Sequence, residues 1–179
     1  SSFSEIFITV FLTYLQRLEN HPLFKNHSLF TIGIVSSYLK SIPENLSFFS
    51  PAYLPITFSL TSSASADDTL KHVKDRLASI EKNKTYCADI YVRYPQLREF
   101  SSVFPIIIDL GSPQTKDYRL DQFPFVLTLD EKNRRYTFKI KEIPDEILET
   151  LLKNFSKHIK NLFEAITLHP EITPGELPL

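Results

Sequence analysis

Apolar positions recur along the chain with two periods, one helical and one alternating. Ile6, Phe7, Val10, Phe11, Tyr14, Leu15 and Leu18 fall on one face of a helix, capped by Ser4 and ended at Asn20-His21-Pro22. The run LFTIGIVS, Leu29 to Ser36, is short, β-branched and uncharged, the pattern of a strand covered on both faces. A Pro- and Ser-rich loop, SYLKSIPENLSFFSPAY, leads to a second strand, LPITFSL. Ala66, Leu70, Val73, Leu77 and Ile80 then mark a helix, with Ser65 and Asp68 spaced as a capping box. KNKTYCADIYVRYPQLREF has no clear period and fits a short helix ending before Pro95. VFPIIIDLG is another continuous apolar strand, and the polar stretch Ser112 to Gln122, with Pro113, is expected to be an extended connector.

FPFVLTL and RRYTFKIKEI form a hairpin around Asp130–Asn133, with Tyr136, Phe138 and Ile140 alternating with Thr137, Lys139 and Lys141. A long helix opens at Pro144, with Asp145 and Glu146 suiting its dipole. Its stripe is Ile147, Leu151, Phe155, Ile159, Leu162 and Ile166, and it stops at Leu168-His169-Pro170. This order predicts an α/β lobe, a mixed β-sheet covered by helices on one face, over residues 1–168. Residues 169–179 fit the start of a linker towards a following domain. There are no internal repeats. The chain opens almost directly on a helix without Met, as an excised piece of a longer polypeptide would.

Composition narrows the chemistry. Lys+Arg 20 against Asp+Glu 21 leaves no cation excess for nucleic-acid binding. No apolar run approaches the ~18–20 residues of a membrane span, so no membrane partner is expected. Only 3 glycines are present, and Gly33, Gly111 and Gly175 cannot write a Gly-rich phosphate loop. The single Cys87 excludes an internal disulfide and any multi-Cys metal site, and is expected to be a packing residue in a reducing, cytoplasmic setting. His21, His27, His72, His158 and His169 form no metal-ligand or catalytic motif, so no metal is expected. His21 and His169 each precede a proline at a helix end and fit stop positions, and His158 is expected on the solvated side of the long helix near Lys157 and Lys160. Asp67 and Asp68 fit capping charges, and the basic run KNRR at 132–135 fits a solvated turn. From the residues alone, no self-contained active site is visible.

The colinear order of several segments resembles the C-terminal lobe of a nonribosomal peptide synthetase condensation domain, of chloramphenicol-acetyltransferase-like (CoA-dependent acyltransferase) fold. SFSEIFITVFLTYLQRL is similar to the helix that opens that lobe, and TIGIVSS to its buried Gly-x-Pro-type strand. NLSFFSPAYLPITFSL resembles the family's Gly-Phe-Phe-x-Asn-x-Leu-Pro-Leu-Arg stretch, and DDTLKHVKDRLASI the helix after it. YVRYPQLREF with VFPIIIDLGS resembles its Arg-Tyr-Pro-x-Leu and the strand into Leu-Gly. EILETLLKNFSKHIKNLFEAITLHPEITPGELPL is similar to the closing helix and Glu-Leu-Pro-Leu that precede an adenylation domain, and is the most specific segment.

Short lysine- and phenylalanine-rich segments with few glycines suggest a bacterial source, and the resemblance implies secondary metabolism and a transferase that forms an amide bond between a carrier-bound acyl or peptidyl donor and a carrier-bound aminoacyl acceptor. The family's histidine motif lies on the N-terminal lobe, so this chain holds no catalytic residue and is expected to be inactive alone. No cofactor is expected to bind directly; phosphopantetheine is carried by partner carrier domains. Partners implied are the N-terminal lobe, upstream and downstream peptidyl carrier domains and an adjacent adenylation domain. Ser36, Ser37, Asp109 and Ser112 are expected near one end of two adjacent buried strands, with Lys40 and Tyr53 on the bordering loop, as substrate-binding residues.

Where the family has an arginine after the first buried strand, this chain offers Leu39 or Lys40; Thr57 replaces another. Either Lys40 reaches inward to fix a buried carboxylate, or the parent domain is degraded. The alternatives to condensation are a scaffold lobe that docks carrier and adenylation domains, or the equivalent lobe of an epimerisation or heterocyclisation domain.

Overall fold

The computed structural model describes residues 1–17, 29–47, 49–59, 63–84, 93–94, 106–110, 118–141, 145–173 and 175–176. The opening helix, α1 (Phe3–Arg17), starts earlier than its stripe suggested. Ser2, not Ser4, caps it: its Oγ accepts from Glu5 N at 3.1 Å, and its N donates to Glu5 Oε2 at 2.7 Å. Ser4 is buried within the helix.

α1 is not one-sided. Phe7 through Thr13 are all buried, as for a helix enclosed on every side. Threonine can enter that core because each hydroxyl bonds back to its own helix. Thr9 Oγ1 donates to Glu5 O and Thr13 Oγ1 to Thr9 O, both at 2.9 Å.

The strands are β1 (Leu29–Val35), β2 (Leu54–Ser59), β3 (Ile106–Asp109), β4 (Phe125–Asp130) and β5 (Arg135–Ile140), in sheet order β2-β1-β3-β4-β5. β1, β3 and β4 run parallel and β5 returns antiparallel, giving a mixed sheet. Consecutive residues of the central strands are buried, Ile32 to Val35 and Ile107 to Asp109, so both of their faces are withdrawn from solvent. The segment expected to be a loop after β1 instead forms α2 (Ser37–Ser41) and α3 (Glu44–Ser47). Helices that short carry no complete stripe to give them away.

By internal contacts the chain forms two compact units, one of residues 1–30, 57–76 and 142–179, the other of 31–56 and 77–141. In the first, α1 packs on the long helix α5 (Asp145–Leu168). Phe11 and Tyr14 meet the Phe155 ring edge-on at 6.1 and 5.0 Å. His158 is drawn into this contact rather than to solvent: it lies 6.0 Å from the Tyr14 ring, with a buried Nδ1 that has no hydrogen-bond partner among the described residues. Burial pushes the Tyr14 phenol above its usual range.

α4 (Ala66–Asn83) opens on the expected capping box, Ser65 Oγ accepting from Asp68 N at 3.1 Å and donating to Asp68 Oδ2 at 2.8 Å. Two further orphan amides at this helix start are met by the tail: Ala66 N donates to Ile172 O and Asp67 N to Pro170 O. Arg17 Nη1 donates to Gly175 O at 2.6 Å, so the described tail folds back on its own unit.

The Ser65 bonds hold the Asp68 carboxyl below its ordinary value of 3.8. A carboxyl depressed in the folded state stabilises above its unfolded pKa, and that contribution is lost as pH falls through the folded one. Ser65→Ala is therefore expected to lower Tm by roughly 2–4 °C at neutral pH. The gap from wild type should narrow in thermal scans taken below the ordinary carboxylate range; a gap that widens there would contradict the cap.

In the second unit, the β4–β5 turn is locked by Asp130, which accepts from Asn133 N at 3.1 Å and Nδ2 at 2.8 Å. Asn133 and the Arg135 charge hold its carboxyl below the usual range. The KNRR run is exposed, as expected of a solvated turn. Of the expected connector, 112–117 lies outside the described residues. Its end, Tyr118–Gln122, is a 3-10 helix with Leu120 buried, not an extended excursion. Cys87, His21, His27, Pro95 and Pro144 also lie outside the described residues.

Candidate functional site

β1 and β3 lie side by side, with Gly33 opposite Ile107 and Val35 opposite Asp109. β1 is followed by β2 on one side, whereas β3 is followed by β4 on the other. The boundary between β1 and β3 is thus the point where the winding reverses. Beyond the carboxyl ends of strands at such a point, α/β sheets open a crevice. Two of the expected residues meet there.

Asp109 is the last residue of β3, and Leu110 N extends the ladder to Val35 O at 2.9 Å. β1 ends at Val35, where Ser36 turns the chain into α2. Ser36 is extended (φ -80, ψ 161) and its Oγ accepts from Leu39 N. The short helix buries Leu39 and brings Lys40 Nζ to 2.7 Å from Asp109 Oδ2. Their side chains are only 7% and 6% exposed, so this is a buried ion pair. Lys40 does reach inward, and the carboxylate it meets belongs to its own chain.

Partners across a parallel ladder share a face, so Gly33, Val35, Ile107 and Asp109 point to one side of the sheet. Tyr53 covers that same side: a Cβ on Gly33 would stand 2.7 Å from Tyr53 Cδ2. The Tyr53 ring is set edge-on to Phe123, at 5.2 Å and 89°. Lys40 and Asp109 therefore meet, and Tyr53 lies over the same side of the sheet. Ser36 does not join them: alternation after Val35 sends it to the opposite face, and its hydroxyl serves the helix cap. Ser37 is exposed on α2, and Ser112 lies outside the described residues.

Gly33 was not singled out from the sequence, although glycine inside a strand often marks a close approach. A methyl there must displace Tyr53 and Ile107. Gly33→Ala is expected to destabilise by about 1–3 kcal/mol through overpacking, measured by urea unfolding. A neutral result would show that Tyr53 is loosely held. The contact of Lys84 Nζ with the Tyr38 ring, 5.1 Å from its centroid, also escaped sequence reasoning.

Chemically, the ammonium and carboxylate of Lys40 and Asp109 form an ion pair with each other. Among the described residues no cluster of His, Cys, Asp and Glu could hold a metal ion, and no helix is long and apolar enough to cross a membrane.

This arrangement, a mixed sheet with its winding reversal between β1 and β3, is the chloramphenicol-acetyltransferase-like fold of condensation domains. The crystal structure of the starter condensation domain of rhizomide synthetase RzmA matches 98% of the chain, at TM-score 0.63 and 9% identity, over 44% of its own length. The condensation domain from Monacolin K polyketide synthase MokA matches 95%, at TM-score 0.64 and 14% identity, over 42% of its own length. The chain thus has the fold of part of a condensation domain and spans less than half of these neighbours. No family model and no curated protein matches the sequence.

Proposed function

We propose that the chain is the C-terminal lobe of a nonribosomal peptide synthetase condensation domain, completed by an N-terminal lobe that carries the catalytic histidine motif. The observation that carries this reading is the match of nearly the whole chain to less than half of a condensation domain. The closing Glu-Leu-Pro-Leu and the meeting of Lys40 with Asp109 at the carboxyl ends of β1 and β3 support it.

In this reading the amine of an aminoacyl thioester on the downstream carrier attacks the acyl thioester carbonyl on the upstream carrier. A C–N bond forms, the C–S bond breaks, and the donor thiol leaves with the proton lost by the amine. The lobe's part is orientation: phosphopantetheine arms reach along the crevice from partner carriers, in the cytoplasm, and rate derives from holding the two ends together. Lys40, paired internally with Asp109, fixes the wall of that crevice.

The test is turnover by the full-length protein, with loaded donor and acceptor carrier domains and mass spectrometry of the acceptor thioester. Dipeptidyl product supports condensation. Stable carrier binding without any product would instead favour the docking-scaffold reading.

A further inference from the structure

The amides at the start of α4 divide into two pairs. Ser65 N donates to Asp68 Oδ2 and Asp68 N to Ser65 Oγ, each at 3.1 Å, within the helix's own capping box. Ala66 N and Asp67 N lie outside that box. They donate to Ile172 O at 3.1 Å and to Pro170 O at 2.9 Å, so the tail completes a cap that the helix leaves half made.

The tail that supplies those carbonyls is built of two successive turns. Ile172 N donates to His169 O at 3.2 Å, and Glu176 N to Thr173 O at 3.0 Å. Pro170 stands second in the first turn, where its ring fixes φ in advance. Glu176 Oε2 closes the second turn, accepting from Thr173 N at 3.1 Å and Thr173 Oγ1 at 2.7 Å. These bonds hold the Glu176 carboxyl below its ordinary value of 4.5. The first turn meets α4, and Gly175 of the second accepts from Arg17 of α1. His169 N still donates to Ala165 O at 2.8 Å, so the tail continues directly from α5.

Hydrogen bonds outweigh apolar burial in holding this segment. Among its described residues Ile172 and Thr173 are half-buried, whereas His169, Pro170, Glu171, Gly175 and Glu176 are exposed. The ion pair of His169 with Glu171, at 3.5 Å, is exposed as well and therefore weak. A segment with so little apolar surface to uncover opens at far lower cost than the core beneath it. We infer that the tail is a releasable strap: its two turns open as one unit and take the cap of Ala66 and Asp67 with them, while the rest of the fold stays closed. Whatever draws Gly175 away from Arg17 then uncaps α4. A merely frayed end behaves differently, opening residue by residue and leaving Ala66 and Asp67 indifferent to a change at Glu176.

Amide hydrogen exchange under native conditions, read residue by residue by NMR on the full chain, separates the two. In the wild type the amides of Ala66, Asp67 and Ile172 should share one opening, with protection factors within about threefold of each other. Val73 and Leu162, fully buried in α4 and α5, should exchange about 100-fold more slowly or slower still. Glu176→Ala should speed Ala66, Asp67 and Ile172 together, by about three- to tenfold, the loss expected when exposed hydrogen bonds are removed. Arg17→Ala, acting from α1, should give the same pattern, and neither variant should move Val73 or Leu162. Unequal protection in the wild type, or Ala66 and Asp67 unmoved in either variant, would overturn the strap. So would an equal acceleration at Val73 and Leu162, which marks a loss of stability across the whole fold.

Discussion

Asp109→Ala is expected to lower the stability of the protein by about 3–5 kcal/mol, because it removes the carboxylate 2.7 Å from a Lys40 ammonium that is only 7% exposed. The loss should appear in urea as a lower midpoint at an unchanged slope. Asp109→Asn keeps the shape but not the charge and should fall between Ala and wild type. The pair itself should be far less valuable than its rupture suggests: Lys40→Met with Asp109→Leu should recover most of the loss, since both charges leave the buried site together. If Asp109→Ala came within about 1 kcal/mol of wild type, the ammonium would have another route to water and the site would be open.

A loss of similar size, about 3–5 kcal/mol, is expected for Phe11→Ala in α1. Phe11 is 2% exposed and its ring meets Phe155 of α5 at 6.1 Å, so truncation leaves a void between two helices. Phe11→Leu, which keeps much of the volume, should cost less than about 1.5 kcal/mol. Equal losses for Ala and Leu would point to ring geometry rather than volume as the source.

The strands and the hairpin were legible because alternation and β-branching are local signals. Tyr136, Phe138 and Ile140 turn inward as the pattern required. The α4 cap was legible for the same reason, its partners being three residues apart. The stripe read for α1 left out Ile8 and Leu12, which are also fully buried, and Thr9 and Thr13 join them by satisfying their hydroxyls on their own helix. His158 was placed in solvent because its lysine neighbours were weighed and Tyr14, far off in sequence, could not be.

The candidate site divides along the same line. Adjacent buried strands could be expected from two apolar runs, but Lys40 and Asp109 are 69 residues apart and meet only through the parallel register of β1 and β3. A serine at a strand end can be read as a cap or as a substrate donor, and Ser36 shows the cap, its Oγ accepting from Leu39 N.

The contact of Arg17 with Gly175 closes the first unit across 158 residues. On a ribosome adding about 5–20 residues per second, α1 emerges roughly 8–30 s before α5 and the tail exist to cover it. During that interval Phe7, Phe11 and Leu12, all but inaccessible in the finished fold, have no final partner on α5 to meet. Slow synthesis should therefore lengthen the exposure of a sticky nascent helix. The yield of soluble protein should depend on elongation rate and on the chaperones that hold such helices, more than on the stability of the completed lobe.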